Sequence, residues 1–464
     1  GVGYDALGVN TTGASNAAFG IYALDANTTG SSNVALGRHS LGANTTASNN
    51  TAVGTSALAA NTTATGNVAV GNTAMTVNTT GAYNTALGSR ALGANTTAAG
   101  NVAVGADALL LTTTGASNTA FGTAALDANT TGASNVAVGN NALGAATTAS
   151  GNTAVGVNTG DAITTGYHNV ALGGFALSTN ITGAQNVAVG YEALFNNTAN
   201  NTTAVGHDSL KGNTSGTGNS AFGYRALTAN TTAANNTAVG SDSLDANTTG
   251  ANNTAVGSNA LGANTTAANN VAVGNGALDA NTTGTQNIGI GLNALGVNTT
   301  AANNVAIGTN ALDANTTGAS NTAVGENTLG SNTTAANNVA VGHVALDANT
   351  TGTSNTAVGK SALTASTTAS NVTGIGYLAL AANTTGAQNV ALGRSAGSAI
   401  TTGSNNICIG YNSQLAAVGD NNEIVIGISS ATGKGSDTGF IAPGGGAMYN
   451  GQNSTVWVAT SDRR

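Results

Sequence analysis

The sequence predicts an all-β protein, a repetitive β-solenoid or β-roll of seventeen-residue coils, for which three chains about one axis, a trimeric fibre, is the usual assembly. Three observations predict it. One glycine recurs every seventeen residues from Gly3 through Gly257 to Gly427, with a single step of sixteen between Gly190 and Gly206. A short apolar pair of small and then large residues precedes that glycine, and a second pair follows it. Composition is the third: Gly supplies 67 of 464 residues, Pro only 1, and 6% of the residues are charged. That is too little charge for a disordered, solvated chain and too much Val, Leu and Ala for a flexible linker. Strict Gly-X-Y is absent, which excludes collagen, and no apolar run is long enough to span a bilayer.

Residues Asn253 to Asn269 show one unit well. Thr254-Ala255-Val256 and Ala260-Leu261 are separated by Gly257 and two variable residues. Such a unit is too short for a helical hairpin, and its Gly and β-branched content opposes helix. Two short strands joined by two turns are expected. Gly257 suits a backbone with positive φ or a close approach between coils. Asn264-Thr265-Thr266 suits the second turn, since Asn and Thr side chains bond nearby backbone. Successive strand residues point to opposite faces, so Ala255 opposes Thr254 and Val256. Strands apolar on both faces are buried on both. One face would then fill the coil and the other would meet a neighbouring chain, although the pattern itself does not set the number of chains.

Coils stacked at the strand spacing of about 4.8 Å would make a rod on the order of 125 Å from roughly 26 coils. Equivalent residues then form ladders, Asn264 on its counterparts among them. Between Leu244 and Leu346 the units alternate L-D-A-N-T-T-G with L-G-x-N-T-T-A, placing Asp245, Asp279, Asp313 and Asp347 two coils apart. Relief of like-charge repulsion and duplication of a two-unit gene segment both explain that alternation. From residue 428 onward the ruler fails, and Pro443 marks the change, so residues 1–427 read as shaft and 428–464 as a separate C-terminal segment.

The net charge is −8 with only 9 Lys+Arg, which gives no footprint for nucleic acid. A single cysteine, Cys408, excludes an intramolecular disulfide framework. The chain opens inside a repeat at Gly1-Val2-Gly3, so further sequence is expected before it, and its first residues do not report localisation. His39, His168, His207 and His343 lie too far apart for metal-ligand spacing and read as solvated turn residues; only copies about an axis would bring equivalents together. No cofactor is implied. Gly289-Ile290-Gly291 is a pair of repeat positions rather than a phosphate loop, and no spacing marks a nucleophile or a carboxylate pair. Asn264-Thr265-Thr266 is also an N-glycosylation sequon, but the turn requirement explains it without a sugar. Tyr449 and Trp457 are candidates for a sugar-stacking, receptor-binding platform, and packing of the chain's end is the plainer reading.

The N-T-A-V-G…A-L…N-T-T-G repeats resemble the shafts of bacteriophage tail fibres through nearly the whole length, and more weakly the head repeats of trimeric autotransporter adhesins. Ala447 to Ser454, with Trp457 and Thr460-Ser461-Asp462-Arg463-Arg464, resembles the junction to an endosialidase-type intramolecular chaperone. The resemblance implies self-cleavage at Ser461-Asp462, helped by a lysine that would lie beyond Arg464. It implies a homotrimer on a virion tail, outside cells, partnered by other tail proteins and by a host surface glycan or protein receptor, and no enzyme in the repeats. A clamp that sets register and then leaves suits Gly-rich repeats, in which register is weakly specified. Two rivals remain: a bacterial surface adhesin or self-assembling extracellular filament, and an ice-binding solenoid, which would need a flat exposed Thr face.

Overall fold

The computed structural model describes residues 1–428, 430–442, 448–451 and 457–459. They divide into two compact units, Gly1–Asn235 and Asn236–Arg464. Each unit is a parallel β-solenoid. In the first, strands β1 (Ala17–Phe19) to β13 (Ser220–Phe222) are three residues long, and each pairs in parallel with the next. In the second, β14 (Thr237–Val239) to β26 (Gly439–Ala442) repeat the arrangement. Register follows the ruler, so Ala18 opposes Ala35 and Ala255 opposes Ala272. The short coil keeps register too: Ala188 opposes Ala204. Its missing residue is the second Thr of the turn, because Asn197 reaches the carbonyl two residues on where Asn264 reaches three.

Each full coil carries one strand, not the two expected. Ala260-Leu261 lies in a turn, where Asn259 and Leu261 take φ of 55° and 54°. Alternating handedness turns the corner while aiming amides along the stack. Asn259 N–H donates to Ser241 O at 3.0 Å in the preceding coil, and Leu261 N–H donates to Ala277 O at 3.0 Å in the following one. The turn therefore continues the axial hydrogen bonding that a strand would have made. Left-handed backbone disfavours a residue bearing a β-carbon by roughly 1–2 kcal/mol. Burial of the leucine, worth about 1.5–3 kcal/mol, offsets it, and Leu261 is fully buried with Ala255 and Ala260.

Gly257 meets both conditions expected of it. Its φ is +140°, and a β-carbon there would stand 2.4 Å from the carbonyl oxygen of Gly274 in the next coil. Only glycine fits such a position.

The interior is as much polar as apolar. Asn253 and Asn264 are fully buried and belong to two ladders. Asn253 N–H donates to Asn236 Oδ1 at 2.9 Å, and its Nδ2 donates to Ala267 O at 2.9 Å. Asn264 Nδ2 donates to Asn247 Oδ1 at 2.8 Å and to Ala267 O at 3.1 Å. Burying amides is tolerable only when they are bonded, and each coil satisfies its neighbour's. At three interruptions of the second ladder, Thr112, Ala146 and Ser366, the preceding Asn95, Asn129 and Asn349 each leave Oδ1 without a partner, whereas before Ile400 the Asn383 Oδ1 accepts Asn389 Nδ2 at 3.2 Å. Ser366→Asn should therefore stabilise the second unit by about 1 kcal/mol, read by denaturant unfolding; an unchanged midpoint would contradict the ladder's contribution.

Two coils depart in a compensated way. Gly160 and Gly397 stand in the leucine column, and in the same coils Ile163 and Ile400 stand in the asparagine column. A β-carbon on either glycine would meet the isoleucine Cδ1 at 3.0 Å, so the isoleucine, three residues on in the same turn, fills the leucine's space. One branched apolar side chain replaces another of equal size, at the loss of the asparagine amide.

In the second unit the parallel ladder runs one strand past Gly427, to β26. There it turns antiparallel, into β27 (Met448–Asn450) and β28 (Val458–Ala459). The first asparagine column ends at Glu423, whose buried carboxylate accepts backbone N–H groups of Lys434, Gly435 (2.9 Å) and Ala416 (3.2 Å).

Candidate interaction surface

In β1 to β24 (Ile407–Ile409) the middle residue of each strand faces inward, so the flanking residues form two columns on the outside. The column C-terminal to it is apolar in every coil: Phe19, Leu36 and Phe121 in the first unit, Val256, Ile290 and Leu392 in the second. These side chains are exposed, Phe121 by 58% and Leu392 by 48%. Monomeric proteins rarely expose contiguous apolar strips of more than a few hundred Å². The thirteen strands of the first unit, stacked about 4.8 Å apart, carry this one for on the order of 60 Å. At the end of the second unit Ile409, Ile426 and Ile441 continue the strip into an apolar groove with Tyr411 and Ile428.

Much of the chemical variety falls on the two residues after each ruler glycine. In the first unit they build an aromatic ladder. Ring centroids of Phe175 and Tyr191 are 5.9 Å apart, those of Tyr191 and His207 5.2 Å, and those of His207 and Tyr224 5.7 Å. Lys211 bridges Glu192 and Asp208 beside it. The Glu192 bond raises the Lys211 ammonium above its ordinary value, and a bond to the same carboxylate raises the Tyr191 phenol. In the second unit the Arg394 guanidinium lies between Tyr377 and Tyr411, at 5.7 and 5.5 Å from the ring centroids. Sequence reasoning missed both clusters. The signal was available in the run of large residues one position after successive ruler glycines.

Each histidine has a neighbour of its own. His39 stacks on Tyr22, His168 lies edge-on to Tyr167, His207 Nδ1 is 3.1 Å from Asp208, and His343 is 3.9 Å from Glu326. Among the described residues no three His, Cys, Asp or Glu side chains gather as metal ligands. Cys408 is fully buried, and that burial, aided by Glu423, pushes its thiol up to about 12. At neutral pH it stands as the protonated thiol.

The aspartate column has a packing logic. A β-carbon on Gly262 would stand 2.6 Å from Asp279 Oδ1 and 3.7 Å from Asp245 Oδ1; Gly330 sits likewise between Asp347 and Asp313. Gly262 and Gly330 thus make room for carboxylates on both sides, whereas Gly296 meets only Asn293. Burial raises the Asp279, Asp313 and Asp347 carboxyls above the usual range, and the Asp347 charge adds to the effect on Asp313.

Asn264 of the sequon is interior, with both ladder bonds on Nδ2, so the folded coil has no room for a glycan there. Thr265 turns its hydroxyl to Thr282 O at 3.3 Å, while Thr266 is exposed. One Thr column, not two adjacent ones, therefore comes from this turn.

Tyr449 lies in β27, paired with Phe440 of β26. Trp457, 41% exposed, lies against Gly439. Ser461 and Asp462 fall outside the described residues. Comparison with protein-family models, with curated proteins and with solved structures finds no match to this chain.

Proposed function

We propose that the chain is the shaft of an extracellular fibre of the bacteriophage tail-fibre type. Three copies pack their exposed strand faces about one axis and hold a host-receptor-binding tip at a distance from the virion. The observation that carries this reading is the unbroken apolar column through Val256 and its equivalents. A water-facing strand edge would alternate with polar residues. A partner able to cover such a column coil by coil must share its axial repeat, and a second copy of the same chain does so. The role is mechanical. Interlocked asparagine ladders and coil-to-coil hydrogen bonds suit a rod that survives outside cells. Attachment is to a host surface glycan or protein receptor, with other tail proteins as further partners.

Substituting Val273 and Ile290 together by lysine tests the reading. Both point outward and are more than a third exposed, Val273 by 36% and Ile290 by 37%, so the coil itself should fold. Sedimentation should show the double variant at lower mass than the parent. Equal masses would refute packing through this face. A surface adhesin or filament shares the same face, and polydisperse particles of far greater mass would favour it. The ice-binding alternative draws on the exposed Thr266 column, and thermal hysteresis would support it.

A further inference from the structure

The cleft beside Trp457 combines features that fibre mechanics do not use. It measures about 630 Å³ and is lined by Asn422, Ile424, Asp437, Thr438, Asn450 and Trp457, with Gly439 as its floor. Small-molecule sites commonly fall between roughly 300 and 1,000 Å³. The indole rests on Gly439, where a β-carbon would stand 2.7 Å from Trp457 Cη2, so glycine is what lets the ring lie there. Opposing polar groups are already fixed. Asn422 Nδ2 donates to Asp437 Oδ1 at 2.9 Å. Both residues take left-handed backbone, with φ of 55° and 62°. Asp437 N–H donates to Asn421 O at 3.0 Å, and Asn422 N–H donates to Ser404 O at 3.1 Å.

We propose that this cleft binds a neutral pyranose unit of a surface glycan. A pyranose has one face of C–H groups and a rim of hydroxyls. The indole offers an apolar surface to the first, and the Asp437–Asn422 pair offers an acceptor and an amide to the second. Carboxylate–hydroxyl bonds are charge-assisted and directional, and a pair already bonded to each other loses little freedom on binding. The Asp437 charge repels an acidic sugar, so the site selects against uronates. This proposal deepens the fibre reading by naming the ligand class, and it requires the Ile424 side of the strand face to stay open where neighbouring copies cover the Ile426 side.

Trp457 is the chain's one tryptophan, so its emission reports on this cleft. The full chain would be titrated with D-glucose, D-galactose, N-acetyl-D-glucosamine and D-glucuronate into the millimolar range. We expect a saturable change with at least one neutral sugar and none with glucuronate. Asp437→Asn should keep the unliganded spectrum and the circular dichroism of the parent while weakening that sugar at least tenfold. No saturable change with any neutral sugar, equal affinity in Asp437→Asn, or preference for glucuronate would each overturn the proposal. Particle mass, measured on the same samples, reports separately on the fibre reading.

Discussion

Gly257→Ala should open the stack at one coil and destabilise the second unit by at least about 3 kcal/mol. Two independent faults add. The backbone there, at φ +140°, lies where residues with a β-carbon are essentially not found, and the new methyl would fall 2.4 Å from Gly274 O and 2.6 Å from its carbonyl carbon. Neither contact is the end of a flexible side chain, so relief requires the two coils to separate. Separation breaks the ladder bonds between them, such as Gly274 N–H to Val256 O at 2.8 Å. Stability in a stacked array is a sum of nearest-neighbour interfaces, so the damage should stay local. Hydrogen exchange should show lost protection at the coils around residues 254–275 with distant coils protected. Ser258→Ala, one position on at a variable site, should change stability by less than about 0.5 kcal/mol. Similar profiles for the two variants would contradict the account of the ruler glycine.

Asn264→Asp should be comparably damaging at neutral pH, by about 3–5 kcal/mol, because it places an unpaired charge in a fully buried ladder. The natural amide donates twice from Nδ2 and accepts Asn281 Nδ2 at 3.3 Å. A carboxylate accepts only, so it would face Asn247 Oδ1 and Ala267 O with no proton to offer. Burial holds the folded-state carboxyl above its unfolded value of about 3.9. With the folded pKa raised, the variant's stability is retained below the unfolded pKa and lost as pH rises through the folded one. Thermal unfolding should find its deficit smallest around pH 3, where the protonated carboxyl restores one of the two donated bonds, and much larger at pH 7. A pH-independent deficit would show that lost packing, not charge, sets the penalty.

Much of this fold was legible because each coil repeats the same solution. The seventeen-residue ruler, the register, the conformational need at Gly257 and the stacking of Asn264 all follow from residue types and spacing. Ala260-Leu261 was misread because a small–large pair looks the same in a strand and in an alternating-handed turn. Two clues pointed to the turn. The position of Asn259 holds Asp or Asn in several coils, Asp107, Asn141 and Asn310 among them, although Tyr22, Arg90 and Val344 also stand there, and the position of Leu261 holds Gly160 and Gly397; Asp, Asn and Gly tolerate left-handed backbone. The first asparagine column was hidden for a different reason. Asn253 borders a strand, where an amide is expected to face water, and only the closed coil turns it inward. Of the candidate site, Trp457 was visible as a lone aromatic, but Asn422 and Asp437 meet it only through the pairing of β25 (Ile424–Gly427) to β28 in one sheet, which no local pattern announces.

The central claim is that identical chains cover one another's apolar columns. The mass of the native particle by analytical ultracentrifugation tests it most directly. The account predicts one species near three times the 44.1 kDa chain mass, persisting through heating in detergent. A stable species at the mass of a single chain, with the Val256 column open to water, would contradict it.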